Sequence, residues 1–328
     1  MAVLGITMPS LADLLKRTDP NNKIAAIIEL LTETNEILSD AVMVEGNLPT
    51  GHMTTVRTGL PSSTWRLLNY GVQPSKSTTK QVTDTCGMLE AYAEVDKKLA
   101  DLNGNTAAFR LSESQAFMES MNQEMADTLI YGDTDTDPEK FMGFAPRFDS
   151  ISTDSTKSGY NIVDGGGTGS DNTSVWFVTW GENTCHLTSP KGIPGGLQHE
   201  DKGQVTLEDA AGGKFEGYRD HFQWDIGLVV RDWRGIARVA NIDVSDLAAG
   251  TVAIDDRMIE AWYKVRKRPG KKVIYCNENV MVALHKKAKD KTNVNLSLAN
   301  FEGKEVVSFL GVPIRQVDAI LNTEAQIT

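Results

Sequence analysis

The sequence predicts an α+β fold that carries a long arm. Three observations lead there. Residues 112–131 hold one long amphipathic helix, residues from about 145 to 250 are rich in Gly and short strand-like runs, and from about 250 the chain alternates helix, strand, helix and strand. A length of 328 residues exceeds one simple domain, so two packed subdomains are expected, and a hydrophobic fraction of 40% supplies a substantial core.

In chain order, residues 1–45 read as arm helices. Ser10 is an N-cap candidate and Pro20 opens a second helix, where Ile24, Ile27, Ile28 and Leu31 share one face. Residues 46–85 differ: thirteen of forty are Ser or Thr, and Asp84 is the only acid. Two Thr-rich runs flank a Gly- and Pro-punctuated middle with Trp65, Leu67, Leu68 and Tyr70. That predicts an extended two-stranded loop with little core of its own, which needs a surface to lie on; an ordinary long surface hairpin is the alternative.

Residues 87–97 alternate as a strand. Ser112 and Gln115 form a capping box for a helix to Tyr131 with a stripe of Phe117, Met121, Met125 and Leu129. Strands follow at 174–180, 221–230 and 236–240, separated by turn clusters at 164–167 and 194–196. The last part reads as helix 255–268, strand 273–276, helix 277–289 and strand 312–317.

A net charge of −11 argues against a chain that grips nucleic acid over a broad face, because phosphate binding displaces counterions with cations. The acidity is uneven. Residues 264–291 hold ten cations against Glu278 and Asp290, a local charge of +8 that leaves −19 for the remainder. Such a segment is either a solvated surface or one half of a complementary contact between copies. Cys86, Cys185 and Cys276 are odd in number and far apart, and read as buried thiols in a reducing compartment. There is no apolar run of bilayer length and no secretory leader pattern, which predicts a protein made and kept in a cytoplasm until release.

The sequence carries no motif for chemistry. The pairs Gly213-Lys214, Gly270-Lys271 and Gly303-Lys304 lack both the upstream Gly and the following Ser or Thr of a phosphate loop. The acidic run Asp133, Asp135, Asp137, Glu139 begins like a calcium loop, but Pro138 and Phe144 stand where Gly and Glu are needed. His52, His186, His199, His221 and His285 form no zinc spacing, and Cys185 and His186, adjacent on a strand, face opposite ways. No catalytic residue, cofactor site or metal site is therefore assigned. The strand aromatics Trp176, Phe177, Trp180, Phe222, Trp224 and Trp233 read as sheet core, with a stacking platform for sugars or bases as the alternative.

The last third resembles the major capsid proteins of tailed bacteriophages with the Hong Kong 97-type fold. The residues that carry this are Val273-Ile-Tyr-Cys-Asn277-Glu278-Asn279-Val280 running into a helix through Leu284, then Phe309-Leu310-Gly311-Val312-Pro313-Ile314-Arg315 and Val317-Asp318-Ala319-Ile320-Leu321. Residues 219–243 also resemble a stretch of short-tailed phage (podovirus) shell proteins such as that of the Bordetella phage.

The resemblance implies four regions: N-terminal arm helices at 1–45, an extended loop at 46–85 over a neighbouring subunit, a peripheral domain at 86–250 with spine helix 112–131, and an axial α/β domain at 251–328. The Gly-rich β segment departs from the family's usual order, and is expected to be either an insertion or a set of elements connected differently. It also implies a subunit without enzymatic activity. Such a subunit assembles in the host cytoplasm as hexamers and pentamers of an icosahedral virion shell around double-stranded DNA in non-specific contact. Implied partners are a separate scaffolding protein, a portal and a cement protein; no membrane is involved. Candidate subunit-contact residues are Arg57, Trp65, Arg66, Tyr70, Lys76 and Lys80 in the loop, with Arg266, Lys267, Arg268, Lys271 and Lys272 in the basic segment. The rival reading is a phage tail or adhesin protein that binds a host glycan through its strand aromatics.

Overall fold

The computed structural model describes residues 8–9, 13, 33–102, 104, 106–209, 211–288, 296–301 and 304–328. The helices expected at Ser10 and from Pro20 lie outside the described residues. Helix α1 (Ile37–Asp40) and strand β1 (Met43–Glu45) lead into β2 (Gly51–Gly59), β3 (Thr78–Thr85) and β4 (Gly87–Asp96). Helices α2 (Lys97–Asp101) and α3 (Thr106–Tyr131) follow. Next come β5 (Ile162–Asp164), β6 (Asn172–Trp180), β7 (Cys185–Ser189), β8 (Gln198–Glu208), β9 (Lys214–Val230) and β10 (Ile236–Asp243). The last elements are α4 (Val244–Ala249), α5 (Ile254–Val265), β11 (Lys271–Cys276), α6 (Glu278–Ala288), β12 (Leu296–Phe301), β13 (Lys304–Phe309) and β14 (Val312–Gln316).

Strand β6 is central. It runs antiparallel to β10 on one side and β11 on the other. Strand β10 pairs with β5, while β11 continues through β14 and β13 to β12. A single pair, Trp180 with Cys185, links β6 to β7, which pairs with β1 and the end of β9. The rest of β9 lies between β4 and β8. Strands β2 and β3 form a separate sheet of their own.

The run Val175-Trp-Phe-Val-Thr-Trp explains the central place of β6, since a strand covered on both faces reads as continuous apolar sequence. Alternation sends Trp176, Val178 and Trp180 to one face, against Met125 and Leu129 of α3, Phe144 and Phe148. Val175 and Phe177 go to the other, against Met258 and Val265 of α5 and Val280 and Leu284 of α6. Strand β11 alternates likewise, with Val273 and Tyr275 on the first face and Ile274 and Cys276 on the second.

Two expectations change. The boundary at 250 is crossed by the sheet: β6 and β10, from the Gly-rich segment, pair with each other, and β6 pairs with β11 from beyond it. The Gly-rich segment is thus the middle of the same sheet, because its apolar strands need cover that only α3, α5 and α6 together provide. The long helix begins at Thr106, six residues before the expected cap. Ser112 lies inside it, its hydroxyl donating back to the Phe109 carbonyl at 2.8 Å, the bond a helix-interior Ser makes instead of a cap. The stripe is as expected in Met121, Met125 and Leu129, all buried.

Candidate subunit-contact surfaces

The arm is built by β2 and β3. Eight paired positions run from Gly51–Thr85 to Gly59–Thr78. The facing residues are mostly Thr, Lys, Gln and Arg, which satisfy a ladder yet bring little apolar area, so the ribbon has almost no core. Beyond it, Ser75 donates to the Ser62 carbonyl at 2.8 Å and keeps the two sides together. At the tip Trp65 is 101% exposed, and Leu60, Leu67, Leu68, Tyr70 and Val72 are exposed with it. Arg57, Arg66, Lys76 and Lys80 are exposed as well. All six arm candidates therefore sit on one uncovered projection. A cluster of large apolar side chains in water is a marker of an interaction surface.

The arm's root is the opposite. Gly51, His52 and Asp84 are buried. A Cβ at Gly51 would lie 2.1 Å from the Asp84 carbonyl oxygen, so only Gly allows that approach. Arg147 holds Asp84 at 2.8 Å and donates to the carbonyls of Gly143, Met142 and Leu228 at 3.2 Å each. These contacts were not legible from sequence spacing, although the lone acid of 46–85 was the signal that this residue has a dedicated partner.

His52 Nε2 accepts from Arg231 at 2.8 Å, and its ring meets that of His186 edge-on with centroids 5.6 Å apart. Burial first, then Arg231 and His52, pushes His186 down from 6.5 to about 4. Burial and Arg231 also lower His52, while Asp84 acts in the opposite sense. Both fold as neutral imidazoles; the contribution of His186 is complete above the unfolded value of about 6.5 and is lost as pH falls toward about 4, at up to about 1.4 kcal/mol per unit, and His52 acts in the same sense. Hydrogen-exchange protection of residues 51–59 and 78–85 is expected to drop between pH 7 and pH 5 relative to α3, and a His186→Gln variant to lose most of that dependence. A flat profile in the wild-type chain would refute the linkage.

The basic segment proves to be divided among intramolecular partners. Lys264 donates to the carbonyls of Tyr160 and Ile162. Arg268 pairs with Asp232 at 3.3 Å, Lys271 with Asp40 at 2.7 Å and Lys287 with Asp255 at 2.8 Å. Lys272 donates to the Arg268 carbonyl at 2.5 Å. Arg266 stacks over the Tyr263 ring at 4.0 Å and Lys267 is exposed. Of the five candidates there, Arg266 and Lys267 face outward most freely. Lys267 lines one shallow hollow with Tyr160, Trp233, Arg234 and Tyr263, the ring that Arg266 covers.

Elsewhere the chemistry-bearing residues are structural. Cys185 lies in the core beside Trp180, and burial raises its thiol far above the usual range. His186, its neighbour on β7, points to the other side, against His52. The strand aromatics Trp176, Phe177, Trp180 and Phe222 are buried, which leaves no exposed stacking platform among them. The Asp133 carboxylate accepts from its own turn, at the Asp135 amide, 3.0 Å away. Among the described residues no cluster of His, Cys, Asp and Glu has the geometry of a metal site, and no helix is long and apolar enough to cross a membrane.

Comparison with known proteins gives a consistent result. A family described as "Major capsid protein GP7" matches residues 19–328. A solved structure from bacteriophage Epsilon15 is 42% identical, covers 100% of both chains and superposes with a TM-score of 0.79. A capsid chain of a native GTA particle is 13% identical over 69% of this chain and 95% of its own, with a TM-score of 0.48. No curated protein matches.

Proposed function

This chain belongs to the major capsid protein GP7 family, and from that premise we propose that its arm, residues 51–85, lies over a neighbouring subunit and ties assembly to the burial of the arm's tip. The chain is a structural subunit of a bacteriophage virion shell, with the Hong Kong 97-type α+β fold, and such subunits assemble as hexamers and pentamers into an icosahedral capsid. Family membership sets aside the tail or adhesin alternative, and the burial of Trp176, Trp180, Phe177 and Phe222 agrees with that.

One observation carries the reading of the arm: a tip with Trp65, Leu68 and Leu60 each more than four-fifths exposed, on a ribbon without a core. At about 25 cal/mol per Å² of apolar surface removed from water, covering a Trp and several Leu side chains supplies several kcal/mol per contact. An arm of this kind gains order when a neighbour covers it, which couples folding to association. Further partners in this reading are a separate scaffolding protein, a portal, a cement protein and enclosed double-stranded DNA. A net charge of −11 supports loose, non-specific contact with that DNA, because an acidic subunit does not adhere broadly to what it encloses.

The test replaces residues 60–77 by a short Gly-Ser turn. The isolated subunit is expected to keep its stability to within about 0.5 kcal/mol, since the removed side chains touch little of their own chain. Closed shells, seen by sedimentation and negative-stain microscopy with the scaffold co-expressed, are expected to vanish. Normal shells from the shortened chain would overturn the reading.

A further inference from the structure

We propose that the arm tip seats in the cleft between α3 and β4 of a second copy, with Trp65 entering the cleft and Arg66 meeting the acidic turn at 133–139. This rests on the reading of the arm given above and names its receiving site. The cleft has a volume of about 270 Å³ and is lined by Met88, Leu89, Met125, Thr128, Phe141 and Ile226. Its lip is uncovered: Met88 is 75% exposed. Glu124 and Glu139 stand at its edge. The floor is apolar, and the rim carries Glu124, Glu139 and Lys140, an acidic excess that Asp135 and Asp137 of the adjoining turn extend, a setting in which an aromatic anchor with an adjacent Arg binds well.

Only part of the rim's charge is met within the chain. Lys140 is taken by Glu124 at 2.8 Å. Asp135, Asp137 and Glu139 are exposed along the turn that leaves α3. The arm is their complement: between Gly51 and Thr83 it carries Arg57, Arg66, Lys76 and Lys80 and no acid. Trp65 and Arg66 are adjacent, both exposed and just before the turn that Tyr70 closes onto the Leu67 carbonyl, the aromatic for the floor and the cation for the rim. Paired apolar and charged complementarity at one spot sets register as well as affinity.

Reach decides whose tip it is. The cleft includes Gly87 and Met88, just past the arm's root at Thr85. Eight paired positions hold the tip away from that root, roughly 26 Å at the rise of a strand, and the Ser62–Ser75 bond extends the ribbon further. A chain cannot place its own Trp65 in its own cleft without dissolving the ribbon. A second copy can. Each copy then gives one tip and receives one, a head-to-tail contact of the type that closes into rings.

Charge exchange tests this on the full chain with its scaffold. Arg66→Glu is expected to reduce shell yield about tenfold, and Asp135→Lys with Asp137→Lys to do the same; the three together should recover yield to within about twofold of wild type, as expected for charges that meet across a contact. All three positions are exposed, and unchanged melting of each unassembled variant checks that none acts through folding. Co-assembling one chain with Arg66→Cys and another with Glu139→Cys should give, on oxidation, a disulfide-linked dimer that requires both. Failure of the combined variant to recover, or shells without the linked dimer, would overturn the cleft as the site. If those fail while loss of residues 60–77 still abolishes shells, the arm docks elsewhere and the broader reading stands. Shells that survive loss of the tip would refute both.

Discussion

Arg238→Ala is expected to destabilise the subunit by about 3–5 kcal/mol, the range for stripping one partner from a buried ion pair. Arg238 and Glu324 lie 3.0 Å apart with side chains only 4% and 5% exposed. Arg238 also donates to the Ser174 hydroxyl and the Phe148 carbonyl at 2.9 Å each, and lies over the Trp176 ring at 4.8 Å. Glu324 accepts from Tyr131 at 2.6 Å and from Ser174. The group thus joins the last turn of α3, strands β6 and β10 and the C-terminal tail in one network. With Arg238 gone, Glu324 is left buried without its cationic partner. Urea unfolding of the unassembled subunit measures the loss, and a change below about 1 kcal/mol would contradict the argument. Replacing both charges at once, Arg238→Met with Glu324→Met, should cost clearly less than Arg238→Ala alone, since the penalty lies in the orphaned carboxylate. The consequence reaches the whole tail, because the segment carrying Glu324 also bonds to Asn241 through Ile327 and to Ile151 through Thr328.

That network marks where sequence reading stops. Trp176 and Trp180 in a mostly apolar run announced a buried strand, and the block expected at 255–317 announced α5, β11, α6 and β14 in order but not β12 and β13 between the last two. The partners did not announce themselves. Strand β6 meets β11 across nearly a hundred residues, and no local pattern states that Phe177 will lie against Phe309 and not against a strand nearer in sequence. Hence the expected boundary at 250, which the sheet crosses. The arm was legible for a physical reason, since Thr-rich pairing with few apolar residues cannot make a core. The surroundings of its basic counterparts were not: Lys271 and Lys264 look like surface charge in sequence, and only folding brings Asp40 and the carbonyls of Tyr160 and Ile162 to them. The same holds for Ser112, whose cap-like spacing is overridden by a helix that starts six residues earlier.

Arg147→Ala is expected to free the arm while leaving the body folded. Its guanidinium bonds both the arm, through Asp84 of β3, and the body, through the carbonyls of Gly143, Met142 and Leu228, while the Arg231–His52 bond holds the root from β2. Asp84 faces His52 across the ribbon, and the side chain of Asp84 is 5% exposed. An unpaired carboxylate there costs about 3 kcal/mol, and the chain can relieve it by letting the root open to water. Opening needs no change in α3, β6 or β11, none of which the arm covers. Exchange protection at 51–59 and 78–85 should therefore fall about a hundredfold, with little change in α3. Arg147→Lys should lie between, because a single ammonium keeps the charge but cannot span four acceptors as a planar fork does. Arg147→Met with Asp84→Asn removes the stranded charge and should regain part of the protection. Uniform loss across the whole chain would show that Arg147 supports the global fold instead, and unchanged protection would show that the root is held without it. In the shell, a loosened root leaves the tip intact but no longer aimed, so slower assembly of otherwise normal particles is the expected outcome. That outcome would separate aiming the arm, expected of Arg147, from docking it, as proposed for Trp65 and Arg66.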